Sequence, residues 1–388
     1  RAFHYYKYSG KYELALNDIS KAIKLEPKNE ENYQLLGGVK SKQEKYKEAI
    51  AAFSKSIQLN DKSFWAYYYR GQTYKDLKNY ENAIKDFNKT IKLKPRWGLG
   101  YRERGKIYRI QGNIKKALKD FTLAIRYNPN DDISYKNRAE IYFEKKEYKK
   151  AINDLNVLIK LTPNSAIFYF YRGLAYSMVQ KQDNSIIDIS KAIELEPNNS
   201  DYYNNRGIIY ASKNNNYLAI KDFTKAIQID PKNEDFYINR GGIYFLQEKY
   251  NLAIRDFTKA IQINPKADNA YFQRGEALFF NEIYDLAIKD FNKAIQINPN
   301  ESEYYYSRGI IYLELDQYKK AIKDFTKTIK LNPKNSTAYY KRALIYDKLG
   351  DCNALDDYKQ VLKLGKELKA PFKKKIKKRI KELEKECE

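Results

Sequence analysis

Histidine is almost missing from this 388-residue chain: His4 is the single example, and its isolation removes much of the chemistry by which proteins cleave bonds. A Ser-His-Asp triad, an H-E-x-x-H zinc site and a cluster of histidine ligands all need more than one imidazole beside the first residues. Cysteine occurs twice, which is too few for a disulfide framework or a zinc-finger set, and such low usage fits a reducing compartment without requiring one. Gly-rich phosphate loops, nucleophile elbows and paired-cysteine motifs are missing too. The expectation is therefore a protein without catalytic residues, cofactor or metal. No run approaches the roughly 18 apolar residues that a membrane span needs, and no signal-peptide core stands at the start. The chain begins at Arg1, which leaves open a removed targeting segment, and the cellular location is open as well.

What is abundant is tyrosine, at 38 positions, and positive charge, with 73 Lys plus Arg against 49 Asp plus Glu for a formal net of +24. Length alone would give two or three globular domains. Proline gives a different answer, because Pro95, Pro129, Pro163, Pro197, Pro231, Pro265, Pro299 and Pro333 are each 34 residues apart. Counting back reaches Asp61, a lapse, and then Pro27. Proline at the thirty-second place of each unit defines a partial unit over 1–29, nine complete units over 30–335, and a last one over 336–365.

The same places recur in each unit. Tyr holds the fourth, from Tyr33 to Tyr339, and Gly or Ala the eighth, from Gly37 to Ala343. A small residue holds the twentieth, from Ala49 to Ala321, and a large apolar one the twenty-fourth, from Phe53 to Phe325. In unit 200–233, Tyr203, Gly207 and Tyr210 share one helical face, as do Ala219, Phe223 and Ala226, with Asn214, Asn215 and Asn216 as the turn between two helices. Glycine facing phenylalanine lets two antiparallel helices approach closely, and a pair that cannot bury both faces alone must stack on its neighbours.

This pattern of Tyr, Gly, Tyr, Ala, Phe, Ala and Pro at places 4, 8, 11, 20, 24, 27 and 32 resembles the tetratricopeptide repeat over residues 1 to 365. Pentatricopeptide repeats have a 35-residue period and lack the proline ladder. The resemblance implies an all-α, right-handed superhelical solenoid of stacked helix-turn-helix repeats, closed by a C-terminal capping helix. It also implies a non-enzymatic scaffold that holds an extended or helical segment of another protein in a concave groove.

Two departures stand out. Place 7, usually Leu in the family, is Arg from Arg70 through Arg104, Arg138, Arg172, Arg206, Arg240, Arg274 and Arg308 to Arg342. Asp recurs in the second helix from Asp86 to Asp324 and, after a deletion, at Asp357; where unit 30–63 has Leu36, it also has Ala52. Charges that vanish together predict an Arg-Asp bridge within each unit, favoured by the fork of the guanidinium over the alternative of an arginine ladder for phosphates. At the C-terminus, Leu364, Leu368, Phe372, Ile376, Ile380 and Leu383 form an apolar stripe whose outer side is basic, which predicts a capping helix over 366–388.

In the family, the groove is lined by places 2, 5, 9, 12 and 13 of the first helices. Carried onto this chain, these places gather Lys75, Arg102, Lys106, Arg109 and Lys136, an electropositive cluster suited to acidic peptides or a C-terminal carboxylate. Further along they gather Ile238, Phe245, Leu246, Phe272, Phe279, Phe280, Tyr306, Ile310 and Leu313, an apolar stretch expected to anchor a partner unless the fold buries it. Replacing Phe279 and Phe280 by alanine is expected to weaken capture and leave stability unchanged. A chaperone-type carboxylate clamp begins at Arg102, Lys106 and Asn137 but fails at Ile167 and Tyr171. The second reading is a nucleic-acid or ribonucleoprotein-associated protein using its lysines, such as Lys85, Lys221 and Lys323, although Lys, Asn, Ile and Tyr enrichment also reads as codon bias. The sequons at Asn88, Asn198, Asn300 and Asn335 arise readily in so Asn-rich a chain.

Overall fold

A computed structural model describes residues 12–365 and 369–387. Residues 1–11, with His4, and Leu368 of the terminal stripe lie outside the described residues. Among the described residues there are 22 helices and no strand. The first, Tyr12–Leu25, is the second helix of the partial unit and buries Ala15 and Ile19. Ten helix pairs follow in strict register, from Glu30–Lys42 with Tyr46–Leu59 through Ser200–Ser212 with Asn216–Ile229 to Ser336–Lys348 with Asn353–Leu364. Side chains cap many of these helices: Asn29, Asn79, Asn113, Asn199, Asn215, Asn233 and Asn335 each accept a bond from a backbone N–H of the first turn.

The turn within each pair passes through a left-handed residue at place 15. Gly112 and Gly350 supply it freely, whereas Glu44, Lys78, Lys146, Gln180, Asn214, Glu248, Glu282 and Asp316 hold φ between 54° and 61°. Packing inside the pair rests on the place 8 glycine. A methyl group built on Gly207 would lie 2.7 Å from the Phe223 ring, and one on Gly241 would lie 2.8 Å from Phe257, so these rings occupy the volume that a side chain would fill. The rings are buried completely or nearly so.

The described chain forms two compact units, one ending at Leu195 and one beginning at Glu196. Within the first, the first helices Glu30–Lys42, Phe64–Asp76, Gly98–Ile110 and Asp132–Glu144 touch one another in succession, besides packing on their own second helices. Within the second, Ser200–Ser212, Glu234–Leu246, Asp268–Phe280 and Ser302–Glu314 do the same. In each unit the first helices therefore form a continuous wall.

The terminal helix Ala370–Glu386, with proline in its first turn, buries Ile376, Ile380 and Leu383 against Ala343, Ala354, Tyr358 and Val361, with Phe372 packed alongside. Arg379 binds Asp347 at 2.7 Å, and that bond, with one from Tyr358, holds the Asp347 carboxyl below the usual range. The two cysteines, too few for a framework, do form one bond: Cys352 and Cys387 make a disulfide that ties the end of this helix to the start of Asn353–Leu364.

Candidate functional site

The arginines at place 7 are fully engaged, as the paired charges predicted. Each of the nine donates Nε and Nη2 to both carboxylate oxygens of its Asp at 2.7–2.9 Å, from Arg70 with Asp86 to Arg342 with Asp357. The Asp side chains are buried, so these are not exposed pairs of negligible worth. In every such unit but that of Arg274, where Leu278 stands at place 11, Tyr at places 4 and 11 brackets the guanidinium: Arg206 lies 5.8 Å from the Tyr203 and Tyr210 ring centres. In eight of the nine arginines the remaining Nη1 reaches the preceding repeat, where Ser54, Asn88, Thr122, Asn156, Thr224, Thr258, Asn292 or Thr326 accepts it. This link across repeats was readable from place 25, which is always Ser, Thr or Asn in these units. The network binds repeat to repeat and leaves no arginine ladder for phosphates.

The expected electropositive cluster is in fact a set of ion pairs. Glu103 sits at its centre, buried, with Lys75 at 2.8 Å, Lys106 at 2.9 Å and Arg102 at 3.1 Å. Burial alone pushes the Glu103 carboxyl up, and the two lysines overcome it and hold it at about 2. Arg102 also binds Asp131 at 3.0 Å, and Arg109 is paired with Glu140 and Glu144. Lys136 alone of the five is exposed, and it has no ion pair among the described residues. Sequence reasoning counted the cations and missed Glu103, Glu140 and Glu144, which stand one to four residues from them or in the next repeat.

Beside these pairs the first-helix wall opens into a cavity of about 450 Å³. Its apolar lining is Ala139, Phe143, Leu155, Leu158, Ile167, Phe168 and Tyr171, and its charged edge is Arg109, Lys136, Glu140 and Glu144. Ile167 and Tyr171 remain 39% and 42% exposed. The cause is a substitution inside the repeat. Leu155 stands at place 24, where most units put a phenylalanine ring, and Ala139 stands where they put glycine. A branched Leu facing Ala cannot fill the volume of a ring facing glycine, and the space is left open on the wall. Leu155 was the signal for this site.

In the second unit, most of the expected apolar anchors are spent on packing. Phe272 lies against Phe291 and Tyr304, Tyr306 against Phe325, and Ile238, Ile310 and Leu313 against neighbouring core residues. Phe279 packs against the cluster of Leu278, Ala287, Phe291 and Ile311, so its loss would cost stability, contrary to the expectation for the pair. Phe280, 51% exposed, and Leu246, 71% exposed, are the anchors that stay free, with half-buried Phe245 between Phe280 and Tyr250. Apart from Arg240 and Arg274, each bound to its Asp, the charges that share their helices are acidic.

Models of the tetratricopeptide repeat match residues 64–96, 98–131, 200–233, 234–267, 269–301 and 302–335, and a model described as TPR repeat matches 39–78 and 139–180. None of the curated proteins matches the chain. Among solved structures, the C-terminal part of a TPR repeat-containing protein from Cytophaga hutchinsonii is 24% identical over 60% of this chain and 96% of that one, with a TM-score of 0.51. Tom70 of yeast is 17% identical over 99% of this chain and 94% of that one, with a TM-score of 0.43. YrrB, described as a TPR protein with an unusual peptide-binding site, is 23% identical over 48% of this chain and 97% of that one, with a TM-score of 0.42. The family models, spread over more than half of the chain, make this chain a member of the tetratricopeptide repeat family.

Proposed function

We propose that the protein is an interaction scaffold whose first-helix wall in the first unit holds a segment of a partner protein, with one bulky apolar side chain of that segment seated in the cavity beside Tyr171. The observation that carries this reading is the cavity itself. Its volume falls in the usual range of roughly 300–1,000 Å³ for binding sites, its floor is apolar, and its edge carries charges that can orient a backbone. Membership of the family supports the general role, and the cavity supports this part of the wall as its place in the chain. The exposed lysine and the reversible ion pairs of Arg109 give the edge both donors and acceptors, so a segment with polar residues on either side of the apolar one fits it.

The repeat provides its own test. Ala139→Gly combined with Leu155→Phe restores the glycine and phenylalanine pair of most other units and fills the cavity from below without touching the exposed wall. Peptides selected from a random displayed library on the intact chain are expected to lose at least about tenfold in affinity for this double variant, while its thermal stability stays equal or rises. Peptides that bind the double variant as well as the original would place recognition elsewhere.

A further inference from the structure

The four repeats over 200–331 separate their charges by helix. Their first helices carry no lysine, and each of their arginines, from Arg206 to Arg308, is held by an Asp. The remaining charges there are all acidic, and Asp201, Asp235, Glu276, Glu303 and Glu314 stand at places 2, 9 and 13 of the wall. Their second helices are the reverse, with Lys or Arg at places 22 and 26 of every repeat, from Lys221 and Lys225 to Lys323 and Lys327. A protein of net charge +24 thus presents an acidic wall over these four repeats.

The same wall carries the free apolar groups. Phe280 stacks on Tyr250 and meets Phe245 edge-on at 5.5 Å, and Leu246 lies on the same repeat as Phe245. Glu276 is one helical turn before Phe279 and Phe280, on the same face. It is half-buried, it faces Ser307 and Glu303, and among the described residues no cation pairs with it; burial raises its pKa above the usual carboxylate value. A half-buried carboxyl beside the exposed Phe280 ring, with no cation partner among the described residues, gains from an incoming cation.

We infer that the first-helix wall of the second unit docks a cationic amphipathic segment of a partner protein, its apolar side chains on Phe280 and Leu246 and its Lys or Arg residues facing Glu276, Glu303 and Glu314. This rests on the scaffold reading but uses a different wall from the cavity of the first unit. Electrostatic complementarity selects the sign of the segment, and the apolar contacts hold it.

The test uses the intact chain and three labelled peptides of about 18 residues with leucine and phenylalanine at helical spacing and Lys, Gln or Glu at the remaining positions. Fluorescence anisotropy is expected to rank them Lys over Gln over Glu, with at least about tenfold between Lys and Gln at low salt and a smaller margin at high salt. Glu276→Gln with Glu303→Gln and Glu314→Gln should bring the Lys peptide to the level of the Gln peptide, and Leu246→Ser with Phe280→Ser should weaken both. The Ala139→Gly, Leu155→Phe variant should bind the Lys peptide as the original does, which separates this wall from the cavity. Equal binding of the Lys and Gln peptides, stronger binding of the Glu peptide, or indifference to the triple variant would overturn the assignment. Self-association of the chain that the Lys peptide displaces would identify a second copy as the occupant and overturn it as well.

Discussion

At the scale of single residues, the arginine at place 7 organises each repeat. It closes a bidentate bridge inside its own helix pair, lies between two tyrosines, and ties itself to the preceding pair through Nη1. A buried pair of this kind is costly to break from one side, since the surviving charge is left without a partner. Asp256→Ala is therefore expected to cost about 3–5 kcal/mol in the stability of its repeats. Arg240→Leu combined with Asp256→Ala, the solution already present as Leu36 and Ala52, should cost less than the single change. Chemical denaturation of the two variants and the original gives the comparison, and a double variant worse than Asp256→Ala would show that the stacking of Arg240 on tyrosine outweighs its bridge. The bridges were legible in the sequence because both charges disappear together in one unit. The Glu103 pairs were not, because a list of wall positions does not say which acids stand beside the cations.

At the scale of elements, the helix pair was legible almost completely. Period, turn and the meeting of place 8 with place 24 follow from sequence spacing, since a helix fixes which residues share a face. The cavity was hidden for the same reason: Leu155 satisfies the apolar pattern, and only its shape against Ala139 leaves space. The capping helix followed from its apolar stripe, whereas its covalent tie did not, because two cysteines in sequence carry no information about approach. The Cys352–Cys387 bond closes a span of 35 residues. Cys352→Ser with Cys387→Ser is expected to lower the stability of the terminal helix by about 2–4 kcal/mol. Hydrogen exchange should then rise in Ala370–Glu386 and Asn353–Leu364 and remain unchanged over Ser200–Ile229; unchanged exchange in the terminal helix would mean that Ile376, Ile380, Leu383 and the Arg379–Asp347 bridge hold it alone.

At the scale of the whole molecule, composition gave the sign of the net charge and misplaced its meaning. Lysine is concentrated on second helices, while the walls of the first helices are either neutralised, as around Glu103, or acidic, as around Glu276. In the proposed function the recognition chemistry lies on one helix of each pair. Side-chain hydroxyl-radical footprinting of the intact chain, with and without a peptide selected on it, tests that claim directly. Oxidation is expected to fall at Ile167 and Tyr171 or at Leu246 and Phe280, with Tyr217, Leu252 and Leu286 on the second helices labelled as before. Protection of the second-helix residues with the first-helix walls still fully labelled would contradict the account.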